Sequence, residues 1–424
     1  MLNRRDGALF LLAALPRLAY LLIVRPPFAG PYWLLSEELL RRGSLGFSGV
    51  RTTDFEPVYP MLLAAARGVA RHNVLGVQLI QIAVSSAGAL LIYRLGQALT
   101  GSARIASLGA VLYAGDLLLI KQSVGQSPFV LVTTLMLAFA YLFVTAATTT
   151  RAIGAGLMLG LLVVARTMTA PLVGAVAVIL AGQGRPRAAA AATVAALALI
   201  LPWSARNYTL NESWWPTRSG LNLFIGSLPV AATLVPDHDI DLLEPLADAV
   251  IAEDLRRPID DSPESMREID RVLTRRAISN VSRDPQRALA GRAWNLVHYF
   301  WPPLVPRYLE GPDTRAVEDA DGGVVVVNAV SRPRVEVVAY SASYTVVLVA
   351  AIAGAVARRR FLLRRDAILT CILVTFALTH AVYFPATRYR APVMFILVLY
   401  AAVAFDRVWD RRCRSHSAAA PIPA

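Results

Sequence analysis

A short polar run, Arg51-Thr52-Thr53-Asp54-Phe55-Glu56-Pro57-Val58-Tyr59-Pro60, sits between long apolar stretches and carries two carboxylates one residue apart. In an extended segment residues i and i+2 point to the same side, so Asp54 and Glu56 could face one site. Pro57 and Pro60 predict extended geometry at Glu56 and Tyr59, because a proline pushes the residue before it out of the α region. A carboxylate held at a membrane surface can act as general base on a hydroxyl or amine acceptor. A pair of them can also hold a divalent cation against a phosphate. The bland alternative is a solvated loop whose acids pair with Arg51, Arg67 or Arg71.

Three further groups could carry chemistry. Leu201-Pro202-Trp203-Ser204-Ala205-Arg206-Asn207-Tyr208 leads through Trp214-Trp215-Pro216 to Gly220-Leu221-Asn222 and Gly226. It starts where an apolar span ends, so Arg206 would lie at headgroup level, where a guanidinium can bind a phosphate through two parallel hydrogen bonds. An interfacial position accounts for the tryptophans, but not for the Arg206-Asn207 pair or for Asn222 between its glycines. His380 begins a second group that ends in Arg388-Tyr389-Arg390 before Pro392. Those arginines suggest a bound anion, although snorkelling to headgroups would also place them there. Asp116 and Lys121 flank the end of an apolar stretch, where an acid is a functional candidate unless a nearby cation neutralises it. No His/Cys metal spacing, phosphate-cradling P-loop or Gly-x-Ser-x-Gly elbow occurs, and the acids at 237–241 and 260–270 read as solvated loop and helix faces.

These groups need a frame, and composition supplies it. Of 424 residues 56% are apolar and 17% charged, against about a quarter charged in soluble chains. The apolar residues come in blocks near 8–24, 74–98, 104–120, 128–147, 153–165, 168–181, 188–203, 339–357, 367–384 and 391–405. Many of these approach the roughly twenty residues that cross a bilayer. The fold class is therefore an all-α polytopic membrane protein of about ten transmembrane helices, with a mixed extracytoplasmic domain. The net charge of +13 comes almost wholly from arginines, many of them flanking the spans. That pattern reflects topology and contact with membrane lipids rather than nucleic acid. Cys371 and Cys413 are too few for a disulfide framework.

The positive-inside rule puts Arg104, Arg151, Arg185, Arg187, Arg358-Arg359-Arg360, Arg364-Arg365 and the Arg407–Arg414 tail on the cytoplasmic side. Both termini are then cytoplasmic, in a multi-pass protein of the cell membrane, and the first hydrophobic stretch is an uncleaved helix. Residues 1–203 form an N-terminal transmembrane module whose outer loop is 25–73. Residues 204–338 form an extracytoplasmic domain, 339–408 the C-terminal helices and 409–424 the tail. In the first loop, Tyr32, Leu35, Leu39 and Arg42 share one face of an amphipathic helix lying on the bilayer, and Glu37 and Glu38 pair with Arg41 and Arg42. Met61 to Ala70 is apolar but too short to span. In the second segment Ile269, Val272, Leu273, Arg276 and Ala277 give a helical period that Asp284-Pro285 breaks, and Trp301-Pro302-Pro303 follows a resumed helix. Ser417 to Ala424 reads as a disordered tail.

Taken together these residues resemble the GT-C superfamily of membrane glycosyltransferases, in the branch of the dolichyl-phosphate-mannose:protein mannosyltransferases and the bacterial aminoarabinose transferases. The likeness rests on Tyr32 to Gly43, Glu56-Pro57 with Tyr59-Pro60, and Pro202-Trp203 with Arg206-Asn207. It continues through Gly220 to Gly226, Asp284-Pro285, Phe300-Trp301, and finally Arg388-Tyr389-Arg390 with Pro392. It implies a polyprenyl-phosphate-linked sugar as donor, a protein, lipid or glycan acceptor on the extracytoplasmic face, and no nucleotide. Glu56 matches the family's acid before proline, with Asp54 beside it as base, and Arg206, Arg388 and Arg390 are candidates for phosphate contact. Tyr59, Asn207, Asn222, His380, Tyr389 and Lys121 complete the expected substrate-binding set. Two positions depart from the pattern. An aspartate usual just before the Tyr32-type residue is replaced by Phe28-Ala29-Gly30, and an acid common after the third span is replaced by Gln126-Ser127. A non-catalytic envelope-assembly scaffold, or a transporter or flippase of lipid-linked sugars, is the alternative; a transporter should show repeat symmetry and mid-membrane charges, and no such repeat is visible.

Overall fold

A computed structural model describes residues 4–216, 218–228, 243–255, 262–301, 308–309, 315–318, 324–327, 330–331 and 334–418. Helix α1 (Arg4–Val24) is followed by α2 (Pro31–Arg42), a hairpin of β1 (Gly46–Phe47) and β2 (Val50–Arg51), and α3 (Val58–Val69). Seven apolar helices come next: α4 (Val74–Thr100), α5 (Ala103–Gly115), α6 (Leu117–Val124), α7 (Pro128–Val144), α8 (Thr149–Ala165), α9 (Pro171–Gly182) and α10 (Pro186–Asn211). The second long segment holds α11 (Ser219–Ser227), α12 (Glu244–Leu255), α13 (Pro263–Arg283) and α14 (Pro285–Phe300). It also holds two antiparallel pairs, β3 (Tyr308–Leu309) with β6 (Val330–Ser331) and β4 (Arg315–Glu318) with β5 (Val324–Val327). The chain closes with α15 (Arg334–Ala357), α16 (Ala367–Val382) and α17 (Ala391–Ala418).

Every apolar block of the sequence is helical, and among the described residues five helical stretches are long and apolar enough to cross a membrane without a break. Polar side chains set the helix starts. Asn73, Ser102, Asp116, Ser127 and Thr148 each accept a backbone N–H at the first turn of α4, α5, α6, α7 and α8, which satisfies donors that have no partner in the helix. Small residues set the closest packing. A Cβ on Gly156 or Gly160 of α8 would run into the backbone of Ala192 or Ala196 on α10, and one on Gly354 of α15 into that of Tyr400 on α17. Such close approach is what lets helices associate where lipid offers no hydrophobic driving force. α17 is the central helix, buried from Ala391 through Val403.

The block read as 104–120 is two helices, α5 and α6, bent by 53°. The cause is local: Asp116 takes an extended conformation (φ −67°, ψ 118°) and its carboxylate accepts the Leu119 N–H at 2.8 Å. The buried Arg17 guanidinium of α1 bonds the Ala114 carbonyl at 3.3 Å and the Ser85 hydroxyl of α4 at 2.9 Å, which ties the α5 side of the bend to α1 and α4. The blocks at 153–165 and 168–181 are separate helices, divided at Arg166 and a 3-10 turn over Thr167–Thr169.

The extended geometry expected at Tyr59 does not occur. Pro57 is in the α region (φ −80°, ψ −26°), and Tyr59 and Pro60 belong to the first turn of α3. A proline there loses nothing, because first-turn N–H groups have no helical partner. Residues 53–55 form bends. α2 does carry its i,i+4 pairs, Glu37 with Arg41 at 2.7 Å and Glu38 with Arg42 at 2.9 Å. α10 runs past the expected boundary at 203 to Asn211, and α17 continues to Ala418, so the tail expected to be disordered begins as helix. The acids at 237–241, Pro302-Pro303 and residues 419–424 lie outside the described residues.

The two ends of the bundle differ in chemistry. At one end arginines tie helix ends together: Arg94 to Asp6, Arg104 to Asp406 and Asp410, Arg358 to Asp366, Arg365 to the Ala98 carbonyl and Arg407 to the Ala357 carbonyl. At the other end lie the first loop, the α6–α7 turn, the α8–α9 break, the end of α10 and the α16–α17 turn.

Candidate active site

The first loop is fastened from two sides. On one, the Tyr59 hydroxyl of α3 donates to Gln81 Oε1 at 2.8 Å and accepts the Ser127 N–H at 2.9 Å. Gln81 in turn donates to the Ser123 and Gly125 carbonyls, and Gln78 to that of Val124. α4 thus satisfies carbonyls at the end of α6 and holds the 125–127 turn against α3. On the other side, Arg206 of α10 donates to the Thr52 carbonyl at 2.9 Å, the Leu45 carbonyl at 3.3 Å and Asn207 Oδ1 at 3.0 Å, and lies over the Trp203 ring. Asn211 donates to the Thr53 hydroxyl at 2.7 Å. Arg206 and Asn211 of α10 therefore grip the loop, and Asn207 holds the Arg206 guanidinium.

Between these fastenings Glu56 faces a cation that the sequence reading overlooked. Its carboxylate lies 3.8 Å from Arg166 Nη1 and accepts the Thr167 N–H at 3.4 Å. The Arg166 guanidinium is packed over the Phe129 ring at 5.2 Å and the Tyr389 ring at 5.9 Å. The Tyr32 ring meets those of Phe55 and Tyr59 edge-on at 5.4 and 5.1 Å, and burial together with the Glu56 charge pushes its hydroxyl up to about 12. Arg388 is on the same cluster, close enough for its charge to act on Arg166. One carboxylate, two guanidiniums and two phenols thus meet at the end of an otherwise apolar bundle. The signal for Arg166 was in the sequence: a lone arginine at the break between two short apolar blocks.

Asp54 is drawn elsewhere. Its charge acts on Asp270 of α13, whose carboxylate is pushed up to about 6 by burial first and by Asp54 third, against the pull of the Gly220 N–H it accepts at 2.6 Å. Asp270 is thus a partly buried cap on α11, not the solvated face expected at 260–270. Bends at 53–55 replace the extended run, and the Glu56 carboxylate faces Arg166 while the Asp54 charge acts on Asp270. Arg67, offered as an alternative partner of the acids, is instead buried under Trp33, donating to the Trp33 carbonyl and the Ser36 hydroxyl, 3.7 Å from Glu37.

The last turn divides its functions. Arg390 is buried and turned inward, donating to the carbonyls of Trp301 at 2.6 Å and His298 at 3.1 Å beneath the Tyr344 ring. It clamps the end of α14 onto α17. His380 is stacked between Tyr389 at 4.5 Å and Tyr299 at 5.3 Å, with Nδ1 3.2 Å from the Phe384 carbonyl oxygen and Nε2 buried without a partner. Asn222 is half-buried on α11 and Lys121 half-buried on α6.

The two departures from the family pattern touch one another. Gly30 adopts φ +142°, and a Cβ there would meet Gln126 Oε1, while Gln126 Nε2 is buried without a partner. Neither residue is anionic. Glu56 is faced by a guanidinium, and no three His, Cys, Asp or Glu residues converge among the described residues. These donors do not fit a divalent cation, which takes several oxygen ligands.

No family model and no curated protein matches the chain. Among solved structures it is similar to the archaeal oligosaccharyltransferase AglB from Archaeoglobus fulgidus, in complex with an inhibitory peptide and a dolichol-phosphate. The TM-score is 0.50 and the identity 15%, covering 98% of this chain and 52% of that one. The same oligosaccharyltransferase tethered with an acceptor peptide gives 0.48 and 15%, covering 95% and 49%. ArnT from Cupriavidus metallidurans in the apo state gives 0.42 and 13%, covering 96% and 78%. The chain spans about half the length of the oligosaccharyltransferase it matches. The chain thus shares the fold of that polytopic, helical membrane oligosaccharyltransferase.

Proposed function

We propose that the protein transfers a sugar from a polyprenyl-phosphate-linked donor to an acceptor at the Glu56–Arg166 end of the bundle. The observation that carries this reading is the Arg166 guanidinium, held by Glu56 and two aromatic rings at the end of an apolar bundle. A guanidinium there binds a lipid phosphate through two parallel hydrogen bonds, which a point charge cannot do as well. The dolichol-phosphate in the oligosaccharyltransferase of like fold supports this chemistry.

In the proposed reaction the acceptor attacks the anomeric carbon. The bond from that carbon to the phosphate oxygen breaks, and the lipid phosphate departs with the electron pair. Arg166 and Arg388 stabilise the charge growing on the leaving phosphate, the kind of aimed electrostatics that dominates catalysis in water-poor sites. Glu56 orients Arg166, and Asp54 takes the acceptor proton. Arg206, with its donors on loop carbonyls, positions the loop that carries both acids. A non-catalytic scaffold of the same fold is the second reading, favoured by Gly30 and Gln126 meeting where the family pattern has acids.

The test is transfer by the purified protein from a panel of radiolabelled polyprenyl-phosphate sugars, with Asp54→Asn, Glu56→Gln and Arg166→Gln beside it. Turnover of one donor that fails in the Arg166 and Glu56 variants is the expected result. Full activity in those variants would sink the assigned roles, and no transfer from any donor would favour the scaffold.

A further inference from the structure

A second site lies at the opposite end of the bundle, one full length of α16 and α17 from His380 and Arg390. The turn 358–366 joins α15 to α16 and is closed by its own backbone. Phe361 and Arg364 N–H groups donate to the Arg358 and Phe361 carbonyls, and Asp366 N–H to Phe361 at 2.9 Å. Two of its arginines are fixed inward. Arg358 forms a two-pronged pair with the buried Asp366 at 2.7 and 2.8 Å, and Arg365 reaches the Ala98 carbonyl at 2.6 Å. Asp366 also accepts from the Tyr400 hydroxyl at 3.3 Å, so the one acid in the turn is fully occupied.

That leaves Arg359, Arg360 and Arg364 exposed, and among the described residues no carboxylate pairs with them. Arg359 and Arg360, with Val356, Ala357, Phe361 and Arg407, line a cleft of about 500 Å³. Arg407 is anchored there by the Ala357 carbonyl at 3.0 Å. Apolar side chains border the charges: Val356, Phe361 and Leu363 are exposed, Leu363 by 84%, and Trp409 stands exposed on the same end of α17. Guanidiniums without counter-ions, beside exposed aliphatic and aromatic groups at the end of membrane helices, match a ligand with a phosphate attached to acyl chains.

We propose that this cleft is a binding site for an anionic glycerophospholipid, whose phosphate is held by Arg359, Arg360 and Arg407 and whose acyl chains lie along Val356 and Phe361. A zwitterionic lipid adds a cationic group that the three arginines repel. A free phosphate would use the charges but leave the apolar border exposed.

The experiment is native mass spectrometry of the full-length protein in mild detergent, titrated with phosphatidylglycerol, phosphatidylcholine or inorganic phosphate. One phosphatidylglycerol should remain bound, with phosphatidylcholine weaker. Arg359→Gln/Arg360→Gln should weaken it roughly thirtyfold, two arginines' worth of surface attraction. Because neither side chain bonds to the protein, the melting temperature of that variant without lipid should match the parent. Arg187→Gln, at the same end but outside the cleft, should leave binding unchanged. Equal retention of both lipids, undiminished binding in the double variant, or an equal loss in Arg187→Gln would overturn the site. Displacement of the lipid by inorganic phosphate at matched concentration would overturn the assignment to a lipid.

Discussion

Glu56 and Arg166, 110 positions apart in the chain, are brought to 3.8 Å at the end of the bundle. The loop carrying Glu56 owes its place to Tyr59 on one side and Arg206 on the other, while Arg166 owes its place to the break between α8 and α9. Each side chain limits where the other can point. Their effects on transfer should therefore be coupled. Arg166→Gln and Glu56→Gln should each lower kcat/KM, Arg166→Gln by roughly 10²–10³-fold, the range for losing one aimed charge at a reacting oxygen. The double variant should be little worse than Arg166→Gln alone. Additive losses in the double-mutant cycle would show that the two act separately.

The helical frame could be read from hydropathy, because burying a span in lipid demands a long apolar run, and the apolar blocks are helical, although the one at 104–120 divides into two helices at Asp116. The site was harder. Arg166 was hidden because one arginine between two apolar blocks has no local pattern, and only the folded chain shows that Glu56 faces it. Tyr59 and Pro60 misled for a different reason: the rule that disfavours helix before proline yields at a helix start, where first-turn N–H groups have no partner to lose. Asp270 looked solvated by its charge alone, and its role as a cap on α11 depends on a glycine fifty residues earlier.

Tyr59 is a structural pin in this arrangement. Tyr59→Phe would leave the buried Ser127 N–H and Gln81 Oε1 without their shared partner, at a cost of about 1–3 kcal/mol for a buried group left unsatisfied. Thermal unfolding in detergent should show the loss as a lower Tm, with the KM of the remaining folded enzyme nearly unchanged. A large rise in KM at unchanged Tm would instead place the hydroxyl against substrate.

Arg388 and Arg390 should separate in the same assays. Arg390→Gln removes the donors to two carbonyls at the end of α14 and should lower the Tm clearly. Arg388→Gln should leave the Tm near that of the parent and reduce transfer. A stable but inactive Arg390→Gln would mean that its inward clamp is not its main task.

Asp270 gives a prediction in pH. Burial first, and the Asp54 charge as well, push its carboxyl up to about 6, above the roughly 3.9 of an unfolded aspartate. Between those values the folded chain holds the proton more tightly than the unfolded one, so stability falls as pH rises through this window. The contribution is fully present below pH 4 and gone above about 6. Asp270→Asn keeps an oxygen for the Gly220 N–H and removes the titration. Its Tm relative to the parent should therefore rise from pH 4 to pH 7 and then level off. A difference that stays flat across that window would show that Asp270 is charged in the folded state throughout, and that α11 is held by a carboxylate rather than by a neutral acid.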